Sequence, residues 1–490
     1  MSLNSQQAMK QLLVISVFMF CVSLAHGQSG RKIDIEFQGI NDSVLYLVHY
    51  YGNSNTLADT AFRERSGRYS FQGRALLPEG VYILVDESKS RSYLEFLIGD
   101  NQRFRIKTDT ADIYGNLSFS RSPMNTQFRE YTQYVVAQRN KANEIRVRRD
   151  YIIDSGEEEI HQEKIRELEA KLEKIDEEVR GRQQEVIDRD PNSMVAVLLR
   201  LQLEPQHPFD LKNGTREDTI NAYRYTRDHF WDAVDLTDER NVRTPLFHQK
   251  LNNYLSGMVV QHPDSIILYG EKLIAKTVSA PDLFRFVVWH TINMTERSNV
   301  MGMDKAFVHF ASEYYLSGKA WWISDAVKNR VAERVRRLER ILIGAVAPEL
   351  QMWDTNRVTT SLHRTQAEYL ILYFWDYDCG HCRRITPELR DFYHEMREYG
   401  VEVFAVCTKT DLDKWKEHIV KYELDWINVN GGYSINRYDT LYDIMATPII
   451  FLLDRDKKIL AKRLDVRQLR NFITQDIEQR RNRDGVKRED

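Results

Sequence analysis

Seven consecutive apolar or aromatic residues, Tyr369–Trp375, are followed by Asp376-Tyr377-Asp378 and then by Cys379-Gly380-His381-Cys382. A run of that kind reads as a strand buried on both faces. The residues from His381 to Tyr399 are helix-compatible, with a kink or restart expected at Pro387. Two sulfurs therefore stand where a buried strand hands over to a helix. The first meets unpaired backbone N–H groups and the positive end of the helix dipole, and both favour thiolate over thiol. The thiolate is the reactive species. The second cysteine, one turn on, is placed to attack a mixed disulfide and release the product.

The flanking pattern is that of an α/β unit. Val401–Cys407 reads as a second buried strand, Asp411–Tyr422 as a helix opened by Asp411, and Trp426–Val429 as a short third strand. Ile449–Leu453 and Ile459–Leu464 make an antiparallel hairpin around Asp454-Arg455-Asp456, and Val466–Glu478 a final amphipathic helix.

Taken together, residues 341–480 resemble the thioredoxin fold, and specifically the envelope thiol-disulfide oxidoreductases of the TlpA/ResA type. Gly344-Ala345-Val346-Ala347-Pro348-Glu349-Leu350 is similar to the family's opening motif, and Phe374-Trp375 ends the central strand. Pro387 lies five residues past the second cysteine, and Thr447-Pro448 precedes an apolar strand. The resemblance implies disulfide exchange with protein or peptide substrates, without cofactor or metal. It implies Cys379 as attacking thiolate, Cys382 as resolving thiol, and Thr447 with Pro448 as a cis-proline loop facing the dithiol. Trp375 and Pro387 would be supporting residues, and His381, Gly380 and Asp378 would tune the thiolate. A cationic His381 favours the thiolate; the carboxylate of Asp378, where an aromatic residue is usual, opposes it. Tyr373 stands where thioredoxins carry a buried acid, so the proton acceptor for Cys382 is left open. TlpA/ResA-type proteins are mostly reducing, which points to reductase or isomerase work over primary oxidation. Cys407, at the end of an apolar run, reads as a buried inert thiol, with a third redox sulfur as the alternative.

The remainder of the chain carries no comparable chemistry. Residues 28–122 read as an antiparallel β sandwich or barrel, with strands at Ile33–Phe37, Val44–Tyr51, Tyr69–Gln72, Val81–Val85, Tyr93–Ile98 and Phe104–Lys107. Residues 123–340 read as helical. Within them, 124–188 carries heptad stripes (Phe128, Tyr131, Val135, Ala142, Ile145 and Ile152, then Ile165, Leu168, Leu172, Ile175, Val179 and Val186) on two helices joined at Asp154-Ser155-Gly156. Further helices are expected at 194–201, 217–232, 245–260, 263–276, 281–296, 304–316 and 320–341, with Trp231, Trp289, Trp321 and Trp322 in the core. Residues 481–490, rich in Arg and Asp, are expected to fray.

The N-terminus sets the compartment. Lys10 precedes an apolar run from Leu12 to Val22, and Ala25-His26-Gly27 follows. This reads as a secretory signal peptide over 1–27 and places the protein in the periplasm or cell envelope. The run is short for a spanning helix; an anchor through residues 11–25, or lipidation of Cys21 behind the bulky Phe20, is the competing reading. With 69 Lys+Arg against 72 Asp+Glu, the charge carries no signature of nucleic-acid binding. Four cysteines in 490 residues rule out a disulfide-dense framework. Two other function classes stay open on the sequence: an envelope binding or scaffold protein that uses residues 28–340 for recognition, and a thiol peroxidase.

Overall fold

A computed structural model describes residues 30–156, 161–211 and 214–486. The expected signal peptide, with Cys21 and the run 11–25, lies outside them, as do the last four residues of the expected tail. The described residues form two compact units. One comprises the residues up to Tyr254 together with Thr277–Leu283; the other comprises Leu255–Lys276 and the residues from Phe284 onward. The helical middle of the chain is thus divided between two bodies.

The first unit begins with eight strands: β1 (Arg31–Gln38), β2 (Val44–Tyr51), β3 (Ser54–Phe62), β4 (Tyr69–Gly73), β5 (Gly80–Val85), β6 (Ser92–Ile98), β7 (Arg103–Asp109) and β8 (Ser118–Ser120). They form two four-stranded sheets, ordered β4-β1-β7-β8 and β3-β2-β5-β6. Alternate residues of both sheets meet in one core, including Ile33 and Ile35 of β1, Leu45 and Leu47 of β2, Tyr82 and Leu84 of β5, and Phe104 and Ile106 of β7. This is the expected sandwich with one correction: β1 pairs β7 in parallel, with Lys32 opposite Arg103. β3, missed in the sequence, lies at a sheet edge with most of its side chains toward solvent, so it carries little apolar alternation. β8 is only three residues long.

The inner strand β5 is buried along its whole length. Its second face, with Val81, packs with Leu97, Tyr131, Val186, Ile187 and the apolar run Met194–Leu199. These come from β6, from the hairpin helices α1 (Pro123–Asp154) and α2 (Gln162–Arg189), and from α3 (Met194–Gln202). Asn125, buried at the start of α1, closes the free edge of β6: its Oδ1 accepts the Leu97 N–H and its Nδ2 donates to the Leu97 carbonyl, both at 2.8 Å. The polar stripe position Gln138 donates to Glu178 across the hairpin at 3.3 Å. Farther out the stripe thins, and Val147 and Tyr151 are exposed. α4 (Arg216–Asp228) and α5 (Pro245–Asn252) complete this part.

The helices α6 (Pro263–Lys276) and α7 (Pro281–Glu296) match their expected bounds, each opened by a proline in the first turn. α8 (Asp304–Phe310) continues as a π-helical turn, Ala311–Leu316, and α9 (Asp325–Glu339) is capped by the Ser324 hydroxyl, which accepts the Val327 N–H. The helix expected from residue 320 therefore starts at Asp325. Trp321 is exposed, a correction to its expected place in the core.

Residues from 351 onward build a seven-stranded sheet in the order β10-β9-β13-β12-β11-β14-β15. Its strands are β9 (Gln351–Asp354), β10 (Thr359–Ser361), β11 (Tyr369–Trp375), β12 (Val401–Cys407), β13 (Ile427–Ser434), β14 (Ile449–Asp454) and β15 (Ile459–Lys462). β11, β12 and β13 are parallel, and β14 runs antiparallel to β11. The helices α10 (Gly380–Met396), α11 (Leu412–Lys421), α12 (Tyr438–Leu441) and α13 (Val466–Val486) alternate with them. α13 runs past Glu478, so residues 481–486 of the expected frayed tail are helical. α10 is one helix with Pro387 inside it, so it does not restart there. No described helix is long and apolar enough to cross a membrane.

Candidate active site

β11 is buried throughout, which puts its carboxyl end at a fixed point of the sheet. The Trp375 carbonyl accepts the Thr408 N–H at 2.9 Å, so β12 holds the last residue of β11 in register. The chain then leaves the sheet through Asp376-Tyr377-Asp378. One carboxylate oxygen of Asp376 accepts the Asp378 N–H at 2.7 Å, the Asp376 carbonyl accepts the Cys379 N–H at 3.2 Å, and Lys409 pairs with the carboxylate at 3.3 Å. Asp376 thus shapes the turn that delivers Cys379.

Cys379 is the N-cap of α10. Its sulfur accepts the main-chain N–H of Cys382 at 3.3 Å and lies 3.5 Å from the Thr447 carbonyl oxygen. Burial alone would raise its pKa. The Cys382 N–H, the Cys382 thiol and the His381 N–H, all aimed at the sulfur, outweigh burial and hold the thiol below its ordinary value. Cys382 is fully buried. Burial, followed by the neighbouring Cys379 sulfur, pushes its thiol well up. The pair is asymmetric: one half-exposed sulfur prone to ionise, and one enclosed sulfur that keeps its proton.

Thr447-Pro448 is a cis peptide bond. Pro448 lines a cleft of about 560 Å³ together with His381, Ile385, Met445, Leu464 and Arg334. His381 therefore reaches Cys379 through its main-chain N–H and also lines the cleft. Asp378 is exposed, and Gly380 faces open space, where an added Cβ would meet only the Arg383 guanidinium at 3.9 Å. Beneath the dithiol, the Tyr373 hydroxyl is hydrogen-bonded to Thr386 at 2.8 Å, and burial raises its pKa far out of the working range. It is a neutral group there, unlike an acid. Cys407 is fully enclosed in the same core, and burial lifts its thiol to about 12.

Sequence reasoning missed Asp376, Lys409, Asp443 and Arg334. Asp376 lies next to the cysteine motif with no role legible from the motif itself; its signal was a carboxylate two residues ahead of a main-chain N–H that needed an acceptor. The other three come to the site from distant parts of the chain.

Comparison with known proteins bears on this geometry. A thioredoxin-like family matches residues 367–459, and a domain of unknown function (DUF5106) matches residues 215–340. The chain is 27% identical over 126 residues to the thiol-disulfide oxidoreductase ResA of Bacillus thuringiensis subsp. konkukian, covering 25% of this chain and 70% of that one. It is 35% identical to the solved domain of a possible thiol-disulfide isomerase from Cytophaga hutchinsonii, covering 29% of this chain and 97% of that one with a TM-score of 0.28. A thioredoxin-like protein from Bacteroides caccae is 18% identical and covers 56% of this chain and 97% of its own, with a TM-score of 0.44.

Proposed function

This chain belongs to the thioredoxin-fold thiol-disulfide oxidoreductases of the TlpA/ResA type, and from that premise we propose that it is an exported enzyme that reduces or isomerises protein disulfides through Cys379 and Cys382. The observation that carries the reading is the asymmetry of the two sulfurs. In the first step the Cys379 thiolate attacks one sulfur of a substrate disulfide. The substrate S–S bond breaks, a mixed disulfide forms at Cys379, and the released sulfur leaves as thiolate and takes up a proton. Cys382 then gives up its proton and attacks the Cys379 sulfur. A Cys379–Cys382 disulfide forms, the second substrate sulfur leaves, and two electrons have passed to the substrate.

The cleft beside Pro448 suits an extended substrate segment, with the main chain of Thr447 as its partner in a short form of β-addition. The reductive direction is supported by the family and by residues 383–446, which hold only the rest of α10, β12, α11, β13, α12 and one 3₁₀ turn, Arg397–Tyr399, without an inserted helical domain. Location in the periplasm or envelope rests on the leader-like residues 1–27 and makes the redox partner an envelope protein. The test is direct. Cys382→Ser should accumulate a mixed disulfide with a cystine peptide at Cys379, and Cys379→Ala should abolish turnover; equal turnover by Cys379→Ala and wild type overturns the reading. A redox titration giving about −270 mV supports the reductive direction, and about −120 mV reverses it.

A further inference from the structure

We infer that Arg334, on α9 of the helical segment, is a positioning residue for the dithiol: it anchors the segment 443–448 whose Thr447 carbonyl lies on Cys379. The inference rests on the function proposed above and deepens it, because it gives the helical segment a part in the same site.

The Arg334 guanidinium pairs with the Asp443 carboxylate, whose side chain is 1% exposed while that of Arg334 is 30% exposed. The other oxygen of Asp443 has no hydrogen-bond partner. Asp443 also adopts a left-handed backbone, with φ +53°. A buried carboxylate of this kind depends on its countercharge. Without Arg334 it loses the cation paired with it, which favours protonation or a turn toward water and loosens the chain that carries it.

Asp443 opens the segment that faces the sulfur. Just before it, Tyr442 is buried and its hydroxyl donates to the Pro348 carbonyl. Just after it, the Ile444 N–H is held by the Asp439 carbonyl at 3.0 Å. Met445 is 77% exposed, so packing gives the middle of the segment little hold. Thr447 then places its carbonyl 3.5 Å from the Cys379 sulfur. Arg334 lines the same cleft as His381, Met445 and Pro448, so its guanidinium is both the anchor of the loop and part of the substrate's wall. A second tie lies close by: Lys462 pairs with Asp304 and donates to the Ile341 carbonyl at 2.6 Å. That tie holds β15; Lys462 also faces Asp443 electrostatically, but Arg334 is the cation paired directly with the Asp443 carboxylate.

The experiment uses the full chain and two readouts. One is the pH midpoint for alkylation of Cys379 by iodoacetamide, which needs no turnover. The other is the split between KM and kcat for a cystine peptide. Arg334→Leu should shift the alkylation midpoint upward, because the Thr447 side chain, whose hydrogen bond favours the Cys379 thiolate, is no longer held in place, and should raise KM roughly tenfold with a smaller change in kcat. Arg334→Lys, which restores the charge, should recover most of both. Should Arg334→Leu fold poorly, the double variant Arg334→Leu/Asp443→Asn removes the stranded charge but still lacks the anchor, and should show both shifts in the same direction at reduced size. Variants with a lowered melting temperature but a wild-type midpoint and KM overturn the inference, since Arg334 would then be a structural tie alone. A wild-type protein without peptide turnover would count against the proposed function, while the alkylation midpoints would still report on Arg334.

Discussion

The main-chain nitrogen of Cys382 lies 3.3 Å from the Cys379 sulfur and donates to it. The two cysteines are thereby coupled through the backbone as well as through their thiols, and the same helix turn that exposes one sulfur buries the other.

That difference should be visible in solution. Cys379 is held below the ordinary thiol value of 9.0 and Cys382 above it. Iodoacetamide modification followed against pH should show Cys379 reacting with a midpoint below 9.0, and Cys382 untouched until denaturant is added. A midpoint at or above that of a free thiol would remove the N-cap account of reactivity.

Asp376 separates two contributions. Asp376→Asn keeps an oxygen for the Asp378 N–H and loses the charge facing Lys409; Asp376→Ala loses both. The Ala variant should be the less stable by about 1 kcal/mol, with slower alkylation of Cys379, and the Asn variant should stay near wild type. Urea unfolding and alkylation rates measure this, and equal losses in both variants would make the ion pair the larger effect.

Cys407 contributes a pH dependence of its own. Its folded pKa, about 12, is raised above the unfolded value of 9.0, so the unfolded chain releases this proton first. The stability it contributes is complete below pH 9.0 and is lost as pH climbs toward about 12. The urea midpoint of the reduced wild type should therefore fall more steeply across that window than that of Cys407→Ala. Parallel curves would show that Cys407 ionises as freely in the fold as outside it.

Asn125 tests the β sandwich. Asn125→Ala leaves the Leu97 N–H and carbonyl without their partners in a buried place, and the unit should lose about 2–3 kcal/mol. Asn125→Asp keeps the acceptor and loses the donor, so chemical unfolding should place it between the two. A neutral Ala variant would mean that water takes over both groups.

Much of this architecture was legible from pattern alone. Val44–Tyr51, Tyr369–Trp375 and Val401–Cys407 appear with their expected bounds because their apolar runs end abruptly in polar residues. Pro263 and Pro281 marked their helix starts for the same local reason. β3 was illegible because an edge strand with its side chains in water needs no apolar face. In the site, Cys379, Cys382, Thr447 and Pro448 could be named from their neighbours in sequence. The pairing of Arg334 with Asp443 could not, because the two residues are 109 positions apart and neither belongs to a local motif.

The parallel pairing of β1 and β7 bears on how the molecule comes into being. β1 sits between β4 and β7, so its second edge stays unpaired until the chain has been made through Arg103–Asp109. Contacts so far apart along the chain close slowly. The first strand therefore keeps one open edge while the residues behind it emerge, and the sheet closes only when its parallel partner arrives.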